Sequence, residues 1–161
     1  MKTHTLILRL AASLLTAFCL SVSTHSALAS GTSTTDLKVL ADGGNSMSQR
    51  ILGERFAMGT EGVTKDMNQA IFWWQKAADQ GDTVAQYNLG QVYFKGAGVQ
   101  QDLIQAHMWF SLAASSGKGT ISAQQRKKLA ESNRKSSEAN MTHKQIEEAQ
   151  ALTQEWLAKH K

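Results

Sequence analysis

The chain has 161 residues, of which 42% are hydrophobic and 19% are charged, and its net charge at pH 7 is +4. This length is enough for one hydrophobic core, and the small positive charge gives no reason to expect a polyanion as the partner. The single cysteine, Cys19, excludes an internal disulfide and a metal site built from several thiolates.

The first 29 residues have the pattern of a secretory signal peptide. Lys2 and Arg9 precede an apolar run, and Ala27-Leu28-Ala29 supplies the small residues at which signal peptidase cuts. Serine and threonine interrupt the run, so it makes a poor membrane-spanning helix, although retention as an uncleaved anchor is the main alternative. Phe18 before Cys19 is too bulky for lipoprotein processing. We therefore expect a periplasmic or secreted protein with no transmembrane span after cleavage.

Residues 48–118 contain one pattern twice. The segment ILGERFAMGTEGVTKDMNQAIFWWQKAADQGD is followed by LGQVYFKGAGVQQDLIQAHMWFSLAASSGK. Matching positions are 37 residues apart up to the first loop and 36 apart after it, because that loop has one extra residue in the first unit. The matched pairs include Gly53 and Gly90, Gly59 and Gly96, Asp66 and Asp102, Trp73 and Trp109, Trp74 and Phe110, and Gly81 and Gly117. A repeat of this length is typical of helical repeat proteins.

Each unit is predicted to form two helices. Gly59 and Gly96 can adopt the left-handed conformation that ends a first helix, and Gly81 and Gly117 end the second helix in the same way. The aspartates that follow each first loop, Asp66 and Asp102, are suited to cap the second helix.

Two further glycines, Gly53 and Gly90, fall inside the first helices, where glycine costs about 1 kcal/mol relative to alanine. This cost makes sense if another helix crosses closely there. The repeated aromatic residues are expected to pack in the core and not to hold a cofactor; they are Phe56, Trp73, Trp74, Tyr93, Trp109 and Phe110.

The Gly-x-Gly pair at Gly96 and Gly98 raises the question of a phosphate-binding loop. Such a loop follows a strand and precedes a helix, whereas the residues before Gly96 have helical periodicity and no Gly-Lys-Ser/Thr follows. The glycines are therefore interpreted as helix ends.

The repeated pattern resembles the Sel1-like repeat (SLR) family, which is related to tetratricopeptide repeats. Residues 85–117 follow the family pattern A-x-x-x-LG-x-x-Y-x-x-G-x-GV-x-x-D-x-x-x-A-x-x-W-[YF]-x-x-AA-x-x-G almost throughout. Residues 48–81 follow it with Ser48 and Phe56 as departures. The resemblance implies an all-α fold, a right-handed α/α superhelix (a TPR/SLR-like solenoid) with two full repeats and terminal capping helices. It also implies a role in scaffolding protein assemblies.

The chain is accordingly divided into a signal peptide (1–29), an N-terminal cap or partial repeat (30–47), repeat 1 (48–82), repeat 2 (83–118) and C-terminal basic and capping helices (119–161). In the last segment Leu129 and Met141 are weak apolar anchors, and Thr142 with Gln145 predicts a capping box. The helix after it has an apolar face formed by Ile146, Ala149, Leu152, Trp156 and Leu157.

The sequence offers little catalytic chemistry. Outside the signal peptide the histidines are His107, His143 and His160, and no pair has the spacing of a zinc-binding helix. His107 is expected to be exposed or half-buried. Glu147 and Glu148 are adjacent and point in different directions on a helix. We therefore expect no catalytic residue, no metal, no cofactor and no enzyme activity; a cell-wall hydrolase remains the alternative.

Residues 118–144 form a basic stretch with two acidic residues, Glu131 and Glu138. Its cations are Lys118, Arg126, Lys127, Lys128, Arg134, Lys135 and Lys144. The stretch has no aromatic residues on which bases could stack, so nucleic acid is not expected. A solvated helix face is the favoured interpretation, and weak contact with anionic lipid or glycan is the alternative.

Helical repeats of this kind present a concave face formed mainly by their first helices. By repeat register, the candidate partner-binding residues there are Arg50, Glu54, Arg55, Tyr87, Asn88, Gln91 and Lys95. We expect a monomer that binds a protein or peptide partner in the cell envelope through this face.

Overall fold

The computed structural model describes residues 32–115 and 121–160, and the structural statements below concern these residues. They form seven α-helices and no strand: α1 (Thr34–Asp42), α2 (Ser46–Met58), α3 (Met67–Asp79), α4 (Thr83–Lys95), α5 (Leu103–Ser115), α6 (Ile121–Glu138) and α7 (His143–Lys159). The predicted signal peptide, Gly117 and Lys118 lie outside the described residues.

The helices pack in the order expected of a repeat solenoid. The closest pairs are α2 with α3 and α4 with α5, which are the two predicted units. Helix α3 packs on α4 and so joins the units, while α1 packs on α2 at one end. At the other end α6 and α7 both pack on α5. The prediction of an all-α repeat solenoid is therefore confirmed.

The predicted helix ends are present. Gly59 and Gly96 have φ values of 72° and 67°, and their N–H groups donate to Arg55 O and to Val92 O in the last turns of α2 and α4. The Asp66 carboxylate accepts from the N–H groups two and three residues later, at 2.9 and 3.1 Å. The Asp102 carboxylate does the same at 3.0 Å for both. Both second helices are thus capped by the repeated aspartate.

Gly53 and Gly90 are the points at which the second helix of each unit approaches the first. A Cβ on Gly53 would lie 2.6 Å from the Trp74 indole, and a Cβ on Gly90 would lie 2.6 Å from the Phe110 ring. The predicted close crossing is confirmed, and glycine is required there because the aromatic ring occupies the space of a side chain.

The core has two clusters. The larger one joins α3, α4 and α5 through residues such as Trp74, Leu89 and Trp109, and Leu152 and Trp156 of α7 pack against it. The smaller one consists of Leu37, Ala41, Leu52 and Trp73. The repeated aromatic residues therefore pack in the core, as predicted.

One predicted anchor is wrong. Leu129 is 54% exposed, whereas Ala130 and Ser137 of the same helix are fully buried. Because these small residues lie seven positions apart on one face, α6 packs closely on α5 through them and turns Leu129 toward solvent.

A repeated glutamine, which the sequence analysis did not single out, ties each unit to the helix before it. Gln49 Nε2 donates to Ala41 O at 2.9 Å, and Gln86 Nε2 donates to Ala78 O at 3.2 Å. Both glutamines are buried, and they are 37 residues apart, which is the repeat offset. Each of these carbonyl groups also accepts from the backbone N–H three residues later, so the glutamine amide adds a second donor at the end of the preceding helix.

Among the described helices, none combines the length and the apolar character that crossing a membrane requires.

Candidate binding surface

One side of α2 and one side of α4 have matched side chains at repeat-equivalent positions, and these are half-buried except at the last position of each helix. Arg50, Glu54 and Met58 follow one another at four-residue intervals on α2, and Tyr87, Gln91 and Lys95 do so on α4. Residues four apart lie on the same side of a helix. These six residues form a surface that we call the first-helix face.

Arg50 joins the two first helices. Its Nη1 lies 2.6 Å from Glu54 Oε1, and its Nε lies 3.4 Å from Asp82 Oδ2. Asp82 also caps α4, since its other oxygen accepts from the N–H groups of Val84 and Ala85 at 2.9 Å. With 17% of its side chain exposed, Arg50 stabilises the spacing of α2 and α4 as well as contributing to the face.

Tyr87 connects α4 to both α5 and α6. Its ring packs on Phe110 with centroids 5.8 Å apart. Its hydroxyl oxygen accepts from Gln91 Nε2 at 2.8 Å and from Asn133 Nδ2 at 3.1 Å. Helix α6 therefore continues the first-helix face beyond repeat 2. Asn133 could not be found by repeat register, because α6 does not carry the repeat pattern.

Two of the predicted partner-binding residues lie beside the first-helix face and not on it. Arg55 Nη1 donates to Thr34 Oγ1 at 2.8 Å, so its side chain turns toward α1. Its repeat equivalent, Val92, is buried in the core. The repeat equivalent of Asn88 is Ile51, which packs against the smaller core cluster. Arg55 and Asn88 thus occupy the flank that faces the preceding helix.

The first-helix face is most accessible at its last residue on each helix. Met58 is 64% exposed, and its repeat equivalent, Lys95, is exposed at the end of α4. Glu54 is 30% exposed. The first-helix face is therefore polar and of mixed charge, with one exposed apolar side chain at its edge. Met58 was missed because methionine on a helix is read first as a core residue.

His107 is buried, and the expectation that it is exposed or half-buried is wrong. It is 1% exposed, because α6 covers α5 at this point. Its Nε2 lies 2.9 Å from Glu138 Oε1, and Arg134 Nη1 lies 2.6 Å from the same oxygen. The histidine therefore links α5 to the end of α6.

The neighbouring Ser111 has the residue type of a nucleophile but not its geometry. Its Oγ lies 3.5 Å from His107 Nδ1 and donates to the His107 carbonyl oxygen at 2.8 Å. The hydroxyl proton is thus directed to the helix backbone and away from a base. The surrounding N–H groups lie inside α5, where helical hydrogen bonds use them, so they do not form an oxyanion hole. In residues 32–115 and 121–160 no group of three or more His, Cys, Asp or Glu residues could hold a metal ion.

Within the described residues, one phenol group and one carboxyl group have clearly shifted pKa values. Burial raises the pKa of Tyr93 above its ordinary value of 10.0, and the negative charge of Asp102 raises it further. A hydrogen bond from Lys159, followed by its charge, lowers the pKa of Glu155. Neither group belongs to the first-helix face.

The cations of the basic stretch do not share one surface. Lys127 and Arg134 pair with Glu131 and Glu138 at 4.0 and 2.6 Å. Lys128 is exposed on the outer side of α6. The positive charge is therefore divided between two sides of the helix, and part of it is balanced by glutamates.

Two helix pairs of the same design, with one helix before them and two after, define an α/α repeat solenoid. The family model described as "Sel1 repeat" matches residues 46–82 and 83–118. The chain therefore contains two Sel1 repeats, which confirms the resemblance to that family.

Two solved structures have the same fold. A protective antigen of uropathogenic Escherichia coli strains, which displays an SLR fold, superposes with a TM-score of 0.69 at 34% identity, covering 79% of this chain and 25% of that one. A Sel1 repeat protein from Oxalobacter formigenes superposes with a TM-score of 0.51 at 33% identity, covering 60% of this chain and 38% of that one.

Two curated proteins match part of the chain. Chitin synthase regulatory factor 3 of Schizosaccharomyces pombe is 38% identical over 63 residues, which are 38% of this chain and 7% of that protein. The ERAD-associated E3 ubiquitin-protein ligase component HRD3A of Arabidopsis thaliana is 32% identical over 62 residues, which are 38% of this chain and 9% of that protein. The matched segment thus spans less than a tenth of the length of either protein.

Sel1 repeats generally mediate protein–protein interaction, and proteins built from them are typically scaffolds without enzymatic activity. The two repeats therefore suggest a protein as the partner.

Proposed function

We propose that the protein is an exported adaptor that binds an extended segment of a partner protein in the cell envelope through its first-helix face. The observation that carries the proposal is that the same three positions on α2 and α4 form the first-helix face. Of its residues, Glu54, Met58 and Lys95 are accessible to solvent. In a repeat protein, equivalent positions on successive first helices present a regular row of contacts to an extended ligand.

The chemistry of the face suits a peptide. Glu54 is an acceptor, Lys95 is a donor, and the Gln91 amide has both kinds of group, so backbone and polar side chains of a partner can be matched. Met58 adds an adaptable apolar contact. The links from Arg50 to Asp82 and from Tyr87 to Asn133 hold the helices in place before binding, which lowers the entropy lost on association.

Export rests on the sequence pattern of residues 1–29, with the periplasm or the cell exterior as the destination. We propose that the protein acts as a monomer without enzymatic activity, metal or cofactor. The engagement of Ser111 with its own helix backbone supports this reading over a hydrolase.

The proposal is tested by capture of partners in cells. A tagged chain is crosslinked in vivo and purified, and the wild type is compared with the triple variant Glu54→Ala, Gln91→Ala, Lys95→Ala. The matched control is Asp79→Ala, Gln69→Ala, Lys76→Ala, which removes the same types of group from the exposed side of α3 and leaves the same net charge. Circular dichroism checks that both variants keep their helicity.

A discrete envelope protein captured by the wild type and the control, but lost in the face variant, is the expected result. Capture that persists in the face variant would contradict the proposal. If capture then also fell steeply with salt, the basic stretch 118–144 and anionic lipid or glycan would replace the face as the site of attachment.

A further inference from the structure

The C-terminal end of the molecule contains a polar cleft that the repeats do not explain. Helices α6 and α7 both pack on α5 but hardly contact each other. Between them lies a solvent-accessible space of about 320 Å³, lined by residues of all three helices. This is room for about ten water molecules by volume, and therefore for a small ligand.

The cleft exists because α6 lacks the feature that closes the two repeats. In α2 and α4 a glycine admits an aromatic ring from the second helix, at Gly53 and Gly90. The sequence of α6, ISAQQRKKLAESNRKSSE, contains no glycine. A following helix cannot approach α6 as closely, so α7 packs on α5 through Trp156 and leaves the space beside α6 open.

The floor of the cleft presents hydrogen-bond acceptors. The hydroxyl-bearing residues Ser111, Ser115 and Thr153 line the cleft. Each donates its proton to a carbonyl oxygen of its own helix, at 2.8, 2.7 and 2.8 Å. A hydroxyl group has one proton and two lone pairs, so the oxygens remain free to accept from the N–H groups of a ligand.

The wall formed by α6 has charges of both signs. Lys127, Glu131 and Arg134 line the cleft at intervals of four and three residues. The pair between Lys127 and Glu131 is loose, with 4.0 Å between its atoms and side chains 42% and 45% exposed. A weak, solvated pair of this kind loses little free energy when its partners turn to a ligand. Opposite them, α7 contributes the amide groups of Gln150 and Gln154.

We propose that this cleft binds a small zwitterion of dipeptide size. The ligand's carboxylate lies against Lys127 and Arg134, and its ammonium group lies against Glu131 and the acceptor oxygens of the floor. Every lining residue except Ala114 has a polar side-chain group, and the wall carries charges of both signs, so a ligand with a charge at each end is matched there. The cleft does not use the first-helix face, so the inference stands apart from the proposed adaptor function.

The probe is the dipeptide L-alanyl-L-glutamine, titrated into the isotope-labelled protein and followed by NMR. We expect saturable binding with a dissociation constant on the order of 1 mM, as for a ligand of this size with ordinary efficiency. The side-chain amide signals of Gln150 and Gln154 should shift, because these groups line the cleft. Acetylating the amino group or amidating the carboxylate should each weaken binding about fivefold, through loss of one charged contact.

Neighbouring lysines supply a matched control. Lys127→Gln should weaken binding about fivefold, whereas Lys128→Gln should have no effect, since Lys128 is exposed and does not line the cleft. Glutamates supply a second matched pair. Glu131→Gln should weaken binding of the dipeptide, whereas Glu148→Gln should have no effect, since Glu148 is exposed and does not line the cleft.

Absence of saturation at 10 mM dipeptide, about ten times the expected constant, would overturn the proposal. Equal affinity for the blocked dipeptides would overturn the zwitterion as the ligand class. An equal loss in Lys127→Gln and Lys128→Gln would place any binding outside the cleft and would overturn the assignment. Partner capture by the first-helix face is unaffected by any of these results.

Discussion

Gly90 determines how closely α4 and α5 pack. A methyl group there would lie 2.6 Å from the fully buried ring of Phe110. The overlap should cost more than the roughly 1 kcal/mol that alanine gains in helix propensity. We expect Gly90→Ala to lower the free energy of unfolding by about 1 to 2 kcal/mol, measured by chemical denaturation.

The control for this prediction removes the ring. In a Phe110→Ala background, Gly90→Ala should be neutral or stabilising, because the colliding ring atoms beyond Cβ are gone and the propensity gain remains. If Gly90→Ala stabilised the wild-type chain, the close crossing would not be the reason for the glycine.

Tyr93 gives the molecule a measurable response to alkaline pH. Burial and then Asp102 raise its pKa above 10.0, so the folded state favours the protonated phenol. The stability that this preference contributes is present below pH 10 and is lost as the pH rises through the folded pKa.

The measurement uses the fact that the chain has two tyrosines. In a Tyr87→Phe variant, the absorbance of ionised tyrosine reports Tyr93 alone, and its midpoint should lie above pH 10.0. Asp102→Asn should move the midpoint down, since it removes the second cause. A midpoint at or below 10.0 with an intact fold would show that the phenol is not buried as described.

At the scale of single residues, the sequence predicted what the backbone demands. Gly59 and Asp66 were found because a helix end needs a left-handed residue or a side-chain acceptor, and both leave a mark at fixed offsets. It did not predict the burial of His107, which depends on where α6 lies. Gln49 and Gln86 lie at the repeat spacing of 37 residues, and this spacing could have identified them as a repeated structural feature.

Helix α7 is the element on which the closure of the last repeat depends. Trp156 packs edge-on against Trp109 with centroids 6.4 Å apart, and Trp109 is 3% exposed. A chain that ends at Met141 should therefore melt at a lower temperature than the whole chain, and its tryptophan fluorescence should shift to the red. Equal melting temperatures would show that α7 does not cap the solenoid.

The start of α7 can be weakened without removing the helix. The Thr142 hydroxyl accepts from Gln145 N–H at 3.3 Å and forms a capping box with that residue. Thr142→Ala should lower the free energy of unfolding by about 1 kcal/mol. A control at the neighbouring exposed position, His143→Ala, removes a solvated side chain and should change stability by less than about 0.5 kcal/mol.

Among the elements, α7 was predictable and α6 was only partly so. The capping box and the apolar face located α7 correctly, because both are local patterns. Helix α6 packs through Ala130 and Ser137, small residues that carry no apolar signal. For that reason neither its packing face nor the cleft beside it could be derived from the sequence.

Helices α1 to α7 form a short solenoid in which single helices complete the two repeats. Two units are few for a repeat protein, since each unit buries its core against a neighbour. Here α1 supplies that neighbour for α2, and α6 and α7 supply it for α5. The fold was predictable because the repeat offset reveals the two units. The first-helix face was predictable only in part, because the repeat register does not show which side of each helix is covered by the next helix.

Binding of a partner protein at the first-helix face can be located by site-specific photocrosslinking. A photoreactive residue is placed at Lys95, on the first-helix face, or at Lys76, which is exposed on α3. We expect a discrete adduct with one envelope protein from position 95 and none from position 76. An adduct from position 76 alone, or the same adduct from both, would contradict it.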